Sequence, residues 1–202
     1  VALSAAAVQL ARAHAQAQRR IGIDTVRTVL NAWQLLDLER LDDTTADWMD
    51  VVVPIVNDAG RRSAQLAAGY FQANRMLAGF TDQFAPPIAT VNEQALRTSL
   101  LVTGPVSVKQ AMTRGIDLAT AGDVASARSA ASAMRHAMDA GRETVLESAR
   151  SDRKVVGYAR MTTSDKPCEF CEMLADRGAV YGSDTADFQA HDGCGCQPVP
   201  AY

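Results

Sequence analysis

The 202-residue sequence predicts a mainly α fold, with long alanine-rich helices followed by a small α+β module at the C-terminal end. Three observations carry this expectation. Hydrophobic residues make up 48% of the chain but aromatics only 5%, a balance set by alanine that suits helices packed through small side chains. Apolar residues recur at helical spacings of three and four over roughly the first 150 positions. From Ser151-Asp152 onward that pattern gives way to a short strand-like stretch, and all four cysteines stand C-terminal to it. The division expected is a helical body over 1–150 and a Cys/His-stapled module over 151–202.

Residues 3–20 read as a first helix with Ser4 as its N-cap. Asp24 opens the next segment, in which Val26, Val29, Leu30, Trp33 and Leu36 recur at helical spacing. Asp43 or Thr44 caps a long third helix to about Phe80, along the line Trp48, Val52, Ile55, Ala59, Leu66, Ala73 and Leu77. Pro54 lies well inside it and is expected to kink it or to mark its true start. Residues 81–90 read as a loop, because Pro86-Pro87 disfavours helix on its N-terminal side. Two shorter helices over 91–103 and 105–120 are divided by Gly104-Pro105. Asp123 then caps a helix to about Arg150, with Val124, Ala127, Ala131, Met134, Met138, Gly141 and Val145 as a seam of small residues suited to close helix contact. In the module, 154–161 and 179–182 read as strands, 168–178 as a short helix, and the remainder, including 182–190, as loop.

Composition excludes several functions. A net charge of −3 and a pI near 5.6 give no electrostatic reason to expect nucleic-acid binding. No apolar run approaches the ~20 residues that span a bilayer, and VVVPIV at 51–56 is interrupted by Pro54. The N-terminal stretch puts its charges after its apolar residues, the reverse of a secretory signal, so folding in a reducing cytosol is expected. No G-x-S-x-G, H-E-x-x-H or Gly-rich phosphate loop occurs. Trp33 and Trp48 fall on apolar helix faces and read as core, whereas His14 and His136 read as partly exposed surface histidines.

The chemistry-bearing pattern is Cys168-x2-Cys171 followed by His191-x2-Cys194-x-Cys196. Two thiols at the first spacing reach one ion from a tight turn, and a second knuckle of His and Cys closes a tetrahedron around Zn²⁺. Cys168, Cys171 and His191 are the first three ligands, and either Cys194 or Cys196 completes the set. If both cysteines bind, His191 instead orients the site through a hydrogen bond. A closed four-ligand site has no position for substrate water, so the zinc is expected to be structural, supplying folding free energy that so small a module lacks. Disulfide pairing, a thioredoxin-like C-x2-C thiol and a Cys168–His191 nucleophile pair are the alternatives.

The string KPCEFCEMLADRGAVYGSD, continuing to FQAHDGCGCQPVP, resembles the C-terminal region of MuF-like minor head proteins of actinobacterial tailed phages. Cys168, Cys171, Met173, Leu174, Ala175, Arg177, Gly178, Val180, Tyr181, His191, Cys194 and Cys196 match that family's motif. Phe188 departs from it by standing three residues before the histidine rather than beside it. The resemblance implies a zinc-knuckle-like module on a minor capsid protein that binds the portal protein and/or the major capsid protein, in several copies per virion. It further implies assembly in the bacterial host cytoplasm and a place inside the head near the portal, while composition argues against membrane or direct nucleic-acid contact. No catalytic set is legible, so a non-enzymatic role is expected. Because actinophage relatives are often labelled capsid maturation proteases, cleavage of scaffold or capsid protein is the alternative, followed by a thiol–disulfide or host-directed factor.

Overall fold

In the computed structural model, residues 3–162, 167–182 and 188–202 are described. The body is built on three long helices, α1 (Ala5–Ala32), α2 (Leu41–Leu77) and α5 (Leu118–Ser151), which pack against one another. The shorter α3 (Glu93–Leu101) and α4 (Ser107–Thr113) lie against α5, joined by a wide turn at Val102–Val106 where Gly104 leaves helical angles. The module comprises β1 (Gly157–Met161), α6 (Glu169–Asp176) and β2 (Gln197–Ala201). The architecture is mainly helical.

Caps fix where the helices begin. Ser4 Oγ accepts from Ala7 N at 3.2 Å, Asn92 Oδ1 from Ala95 N at 3.0 Å, and Asp117 Oδ1 from Thr120 N at 2.9 Å. The last of these corrects the expected start of α5: the cap is Asp117, not Asp123. The break expected between residues 20 and 24 is also absent. The buried face Ala11, Ala15, Gln18, Gly22, Thr25 and Val29 continues at spacings of three and four straight across it. Pro54 does not mark the start of α2 either, since the helix begins at Leu41. It lies on the exposed side of the helix, as does Asp50, whose carbonyl loses its helical partner.

Two apolar cores result. The first gathers Val29, Trp33, Trp48, Val52, Val56, Leu96, Leu100 and Val108, with the Trp33 and Trp48 rings edge to face at 5.5 Å. The second joins Tyr70, Phe71, Val145 and Ala149 of the body to Val155, Ala159 and Val199 of the module, so the strands bury their apolar side chains against α2 and α5. At that junction Arg75, buried, donates to Asp152 Oδ2 at 2.6 Å and to Asp82 at 2.9 and 3.1 Å. Removing one partner of so buried a pair costs about 3–5 kcal/mol.

The second strand is not at 179–182, the position expected for it. Residues 179–182 contribute only an isolated bridge, Tyr158 with Tyr181, while β2 comes from Gln197–Ala201 and pairs antiparallel with β1. Pro198 and Pro200 are tolerated because they share one phase of the ladder, opposite Arg160 and Tyr158, where the strand's N–H groups point away from the partner. The small-residue seam of α5 is likewise shifted. Val124 is exposed and Ala131 half-buried, whereas Ala121, Ala125, Ser129, Ala133, Ala137, Ala140 and Gly141 are buried. Met138, Gly141 and Val145 lie on the buried face as expected.

Candidate metal centre

Cys168 is the N-cap residue of α6, and Cys171 sits in the first turn of that helix, so the C-x2-C spacing turns both thiols toward one side. The second knuckle is a β-turn closed by Cys194 N donating to His191 O at 3.0 Å. Its third residue, Gly193, has φ +78°, which an L side chain rarely adopts. Tyr181 Oη donates to Leu174 O at 2.8 Å, and the Tyr158 ring stacks on Tyr181, which ties α6 to β1. Phe188, before the histidine, lies 3.7 Å beneath the Arg160 guanidinium.

These elements bring all five candidate ligands together. Cys168 Sγ is 3.3 Å from His191 Nε2, and Cys171 Sγ is 3.7 Å from Cys194 Sγ. Two donor triads, each with its atoms within 4.8 Å of one another, share Cys171: Cys168/Cys171/His191 and Cys171/Cys194/Cys196. The cluster could hold a metal ion. Cys171, Cys194 and Cys196 are buried, with Phe188 and Ala190 packed against them, while Cys168 and His191 are exposed. All four thiols are free.

Two of the donor separations match those that a tetrahedral zinc would set. Two sulfurs held at about 2.3 Å from one tetrahedral ion stand about 3.8 Å apart, and a sulfur and an imidazole nitrogen about 3.5 Å apart. The observed separations lie close to both. His191 Nδ1 donates to the Asp192 carbonyl at 2.9 Å, which leaves Nε2, facing Cys168, as the nitrogen open to an ion. The thiols divide by environment. Hydrogen bonding from Cys196 and the nearby Arg142 guanidinium bring Cys194 down to about 5, making it a thiolate at neutral pH. Its partner Cys196 is pushed up by that same contact and stays protonated. Burial raises Cys171 to about 11. The Cys171 backbone N–H and then His191 hold Cys168 below the usual thiol range.

The second knuckle is clamped to the body by charged residues that sequence reading passed over. Arg142, buried on α5, donates through Nε to Cys196 O at 3.0 Å and through its second terminal nitrogen to Cys194 O. Its remaining arm meets Asp139 Oδ1 at 2.7 Å. Arg135 bridges Asp139 at 3.3 Å and Asp192 at 2.6 Å. Arg135, Asp139 and Arg142 therefore form one face of α5 that grips both ends of the turn. Their helical spacing is visible in RHAMDAGR, but charges at such spacing read equally well as a solvated face.

The other two histidines are not surface residues. His14 is buried, stacked on Tyr70 at 4.2 Å with neither ring nitrogen hydrogen-bonded, and burial lowers it to about 4. His136 is buried beside a cavity of about 480 Å³. Its Nε2 lies 2.9 Å from Ser99 Oγ and 3.2 Å from the Arg135 guanidinium. A guanidinium only donates, so Nε2 accepts and the Ser99 hydroxyl donates to it.

The sequence model of one family, described as VG15 protein, matches residues 5–202. The chain belongs to that family, which is viral. No curated protein and no solved structure matches it. Among the described residues, no helix is long and apolar enough to cross a membrane.

Proposed function

We propose that this VG15-family chain is a MuF-like minor head protein of an actinobacterial tailed phage, a structural virion component that meets the portal or inner capsid through its helices. Family membership over residues 5–202 is the observation that carries the reading, with the Cys/His string of the C-terminal module giving its finer form. The division remains a helical body over 1–150 and a stapled module over 151–202, the module serving as a rigid docking element.

In this reading one structural zinc is held by Cys168, Cys171 and His191, with Cys194 or Cys196 as the fourth ligand. Bound, the metal supplies cross-linking between α6 and the 191–196 turn; four protein ligands fill its coordination, so it presents no position for a substrate. Protein purified under reducing conditions should contain about one zinc per chain, and chelation should loosen residues 154–200 while the helical body keeps its circular dichroism. Metal-free protein with an ordered module refutes the zinc assignment. Tagged protein expressed with portal and capsid proteins should co-purify with one of them in several copies per particle, and recovery free of both refutes the virion reading.

A second reading, a maturation protease, is favoured by one contact, Ser99 Oγ to His136 Nε2 at 2.9 Å beside an open cavity. Against it, Ser99 lies within helix α3, where backbone N–H groups are committed to the helix and none is available as an oxyanion donor. Co-expression should leave the capsid protein uncut; cutting abolished by Ser99→Ala, with the fold intact, would replace the structural reading.

A further inference from the structure

A tetrahedral zinc uses four of the module's donors and leaves one thiol over, but the donors also group in a way that uses every one. Cys168, Cys171 and His191 form one triad, and Cys171, Cys194 and Cys196 form another. The donor atoms of each triad lie within 4.8 Å of one another. Cys171 belongs to both, and its sulfur stands 3.7 Å from that of Cys194. At a metal–thiolate distance of about 2.3 Å, three sulfurs around a trigonal ion stand about 4 Å apart. The second triad falls close to that spacing with sulfur alone.

The surroundings of that triad favour a soft ion. Cys171, Cys194 and Cys196 are 2%, 6% and 4% exposed, and Phe188 and Ala190 pack against them, so little water reaches the sulfurs. Harder oxygen donors beside the turn are committed elsewhere. Arg142 holds the Cys194 and Cys196 carbonyls, Asp139 is shared between Arg135 and Arg142, and Asp192 pairs with Arg135. Zinc takes a fourth ligand and accepts oxygen readily. Cuprous ion is satisfied by three donors, and thiolates select it.

We propose that the cluster is also a binuclear cuprous site. The Cys171 thiolate bridges one ion held by Cys168 and His191 to a second held by Cys194 and Cys196. The pair binds in place of the single zinc. The exchange is ligand substitution, and no sulfur is oxidised: two Cu⁺ enter, while one Zn²⁺ leaves with the proton of the thiol that zinc had not used. Charge is conserved, and all four sulfurs end as metal-bound thiolates. Cys168 and His191 are exposed and form the side from which ions enter. The inference rests on the zinc reading only for what is displaced; the two triads stand without it.

The full chain, purified with its zinc, is titrated without oxygen with cuprous ion supplied in acetonitrile. Gel filtration through a weak cuprous chelator strips loosely held ion, elemental analysis counts both metals, and copper-edge X-ray absorption reads the ligands. About two coppers per chain should bind as the zinc leaves. Their ligands should be two sulfurs and a nitrogen from the first triad and three sulfurs from the second. Cys194→Ser and Cys196→Ser each leave four donors, so each should keep its zinc yet bind about one copper instead of two. If either variant loses the order of the module, the copper count and X-ray absorption of the unaltered chain decide alone. One copper per chain, or two retained in either variant, overturns the binuclear site. A chain that holds no zinc but binds two coppers refutes the zinc reading and leaves this site standing, whereas one zinc exchanged for one copper does the reverse.

Discussion

Replacing Arg142 by methionine should weaken zinc binding without unfolding the helical body. The guanidinium is buried, 2% exposed, and holds the carbonyls of both Cys194 and Cys196. Each hydrogen bond from a charged donor contributes about 1.5–3 kcal/mol, so about 3–6 kcal/mol is removed. The 191–196 turn is at the surface on its other side, and lifting it lets water satisfy the two carbonyls. That relaxation recovers roughly half and leaves about 1.5–3 kcal/mol, about a 10–150-fold loss of affinity, close to that of other outer-shell partners. Competition against a chromophoric zinc chelator at fixed pH reads the affinity, and far-ultraviolet circular dichroism reads the body. Arg142→Lys keeps the charge but cannot span both carbonyls, and should fall between the two. Unchanged zinc affinity in Arg142→Met with normal helical signal would refute the clamp, and so would collapse of the whole body, since the contact then holds more than the turn.

Gly141→Ala should destabilise the folded chain by about 1–3 kcal/mol, read as a lower urea midpoint. A Cβ there overlaps Ser63 Oγ and comes within 2.8 Å of Gln18 Nε2 and 3.1 Å of the Ser63 carbonyl, so α2 and α5 must part; unchanged stability would mean that the helices are not in close contact. His14 should make the protein acid-sensitive. Its folded value is about 4 against 6.5 when exposed, so between those values the unfolded chain binds the extra proton. The stabilisation is whole above about pH 6.5 and falls by up to about 1.4 kcal/mol per unit, some 3 kcal/mol in all by pH 4. His14→Phe keeps the ring on Tyr70 and should flatten that part of the stability–pH curve, whereas equal slopes in both proteins would show that His14 is not buried neutral.

The helices are legible in the sequence because periodicity and capping are local signals. Ser4, the long run to Leu77 and the loop before α3 can all be read from neighbouring residues. Phase is what periodicity misses. In α5 alanine and serine occur on every side, so hydrophobicity alone does not choose among adjacent faces, and the expected seam begins on Val124 and Ala127, which are exposed. Only packing against α1 and α2 selects Ala125, Ala133 and Ala137. Burial of His14 and His136 is hidden for a related reason: neighbours rich in Gln and Arg give no hint that each imidazole faces another helix.

The strands show the same limit at longer range. Residues 154–161 are readable as a strand, but the partner expected at 179–182 is not the one that pairs, and 197–201, read as loop and carrying Pro198 and Pro200, is. Their tolerance depends on register, which two segments acquire only on pairing. The centre divides likewise. Cysteines two apart beside a helix start, and a histidine before a Gly-rich turn, encode donor geometry within a few residues, so the five ligand candidates can be named from spacing. The groups that hold the second knuckle stand more than fifty residues earlier in the chain, as Arg142 does relative to Cys194 and Cys196, and their role exists only after the module has docked on α5. A local spacing can therefore announce a metal site while leaving its rigidity to contacts that no spacing records. In this chain that rigidity is the part on which the proposed docking role depends, because a knuckle free to swing on its ligands alone would present no fixed surface to a partner.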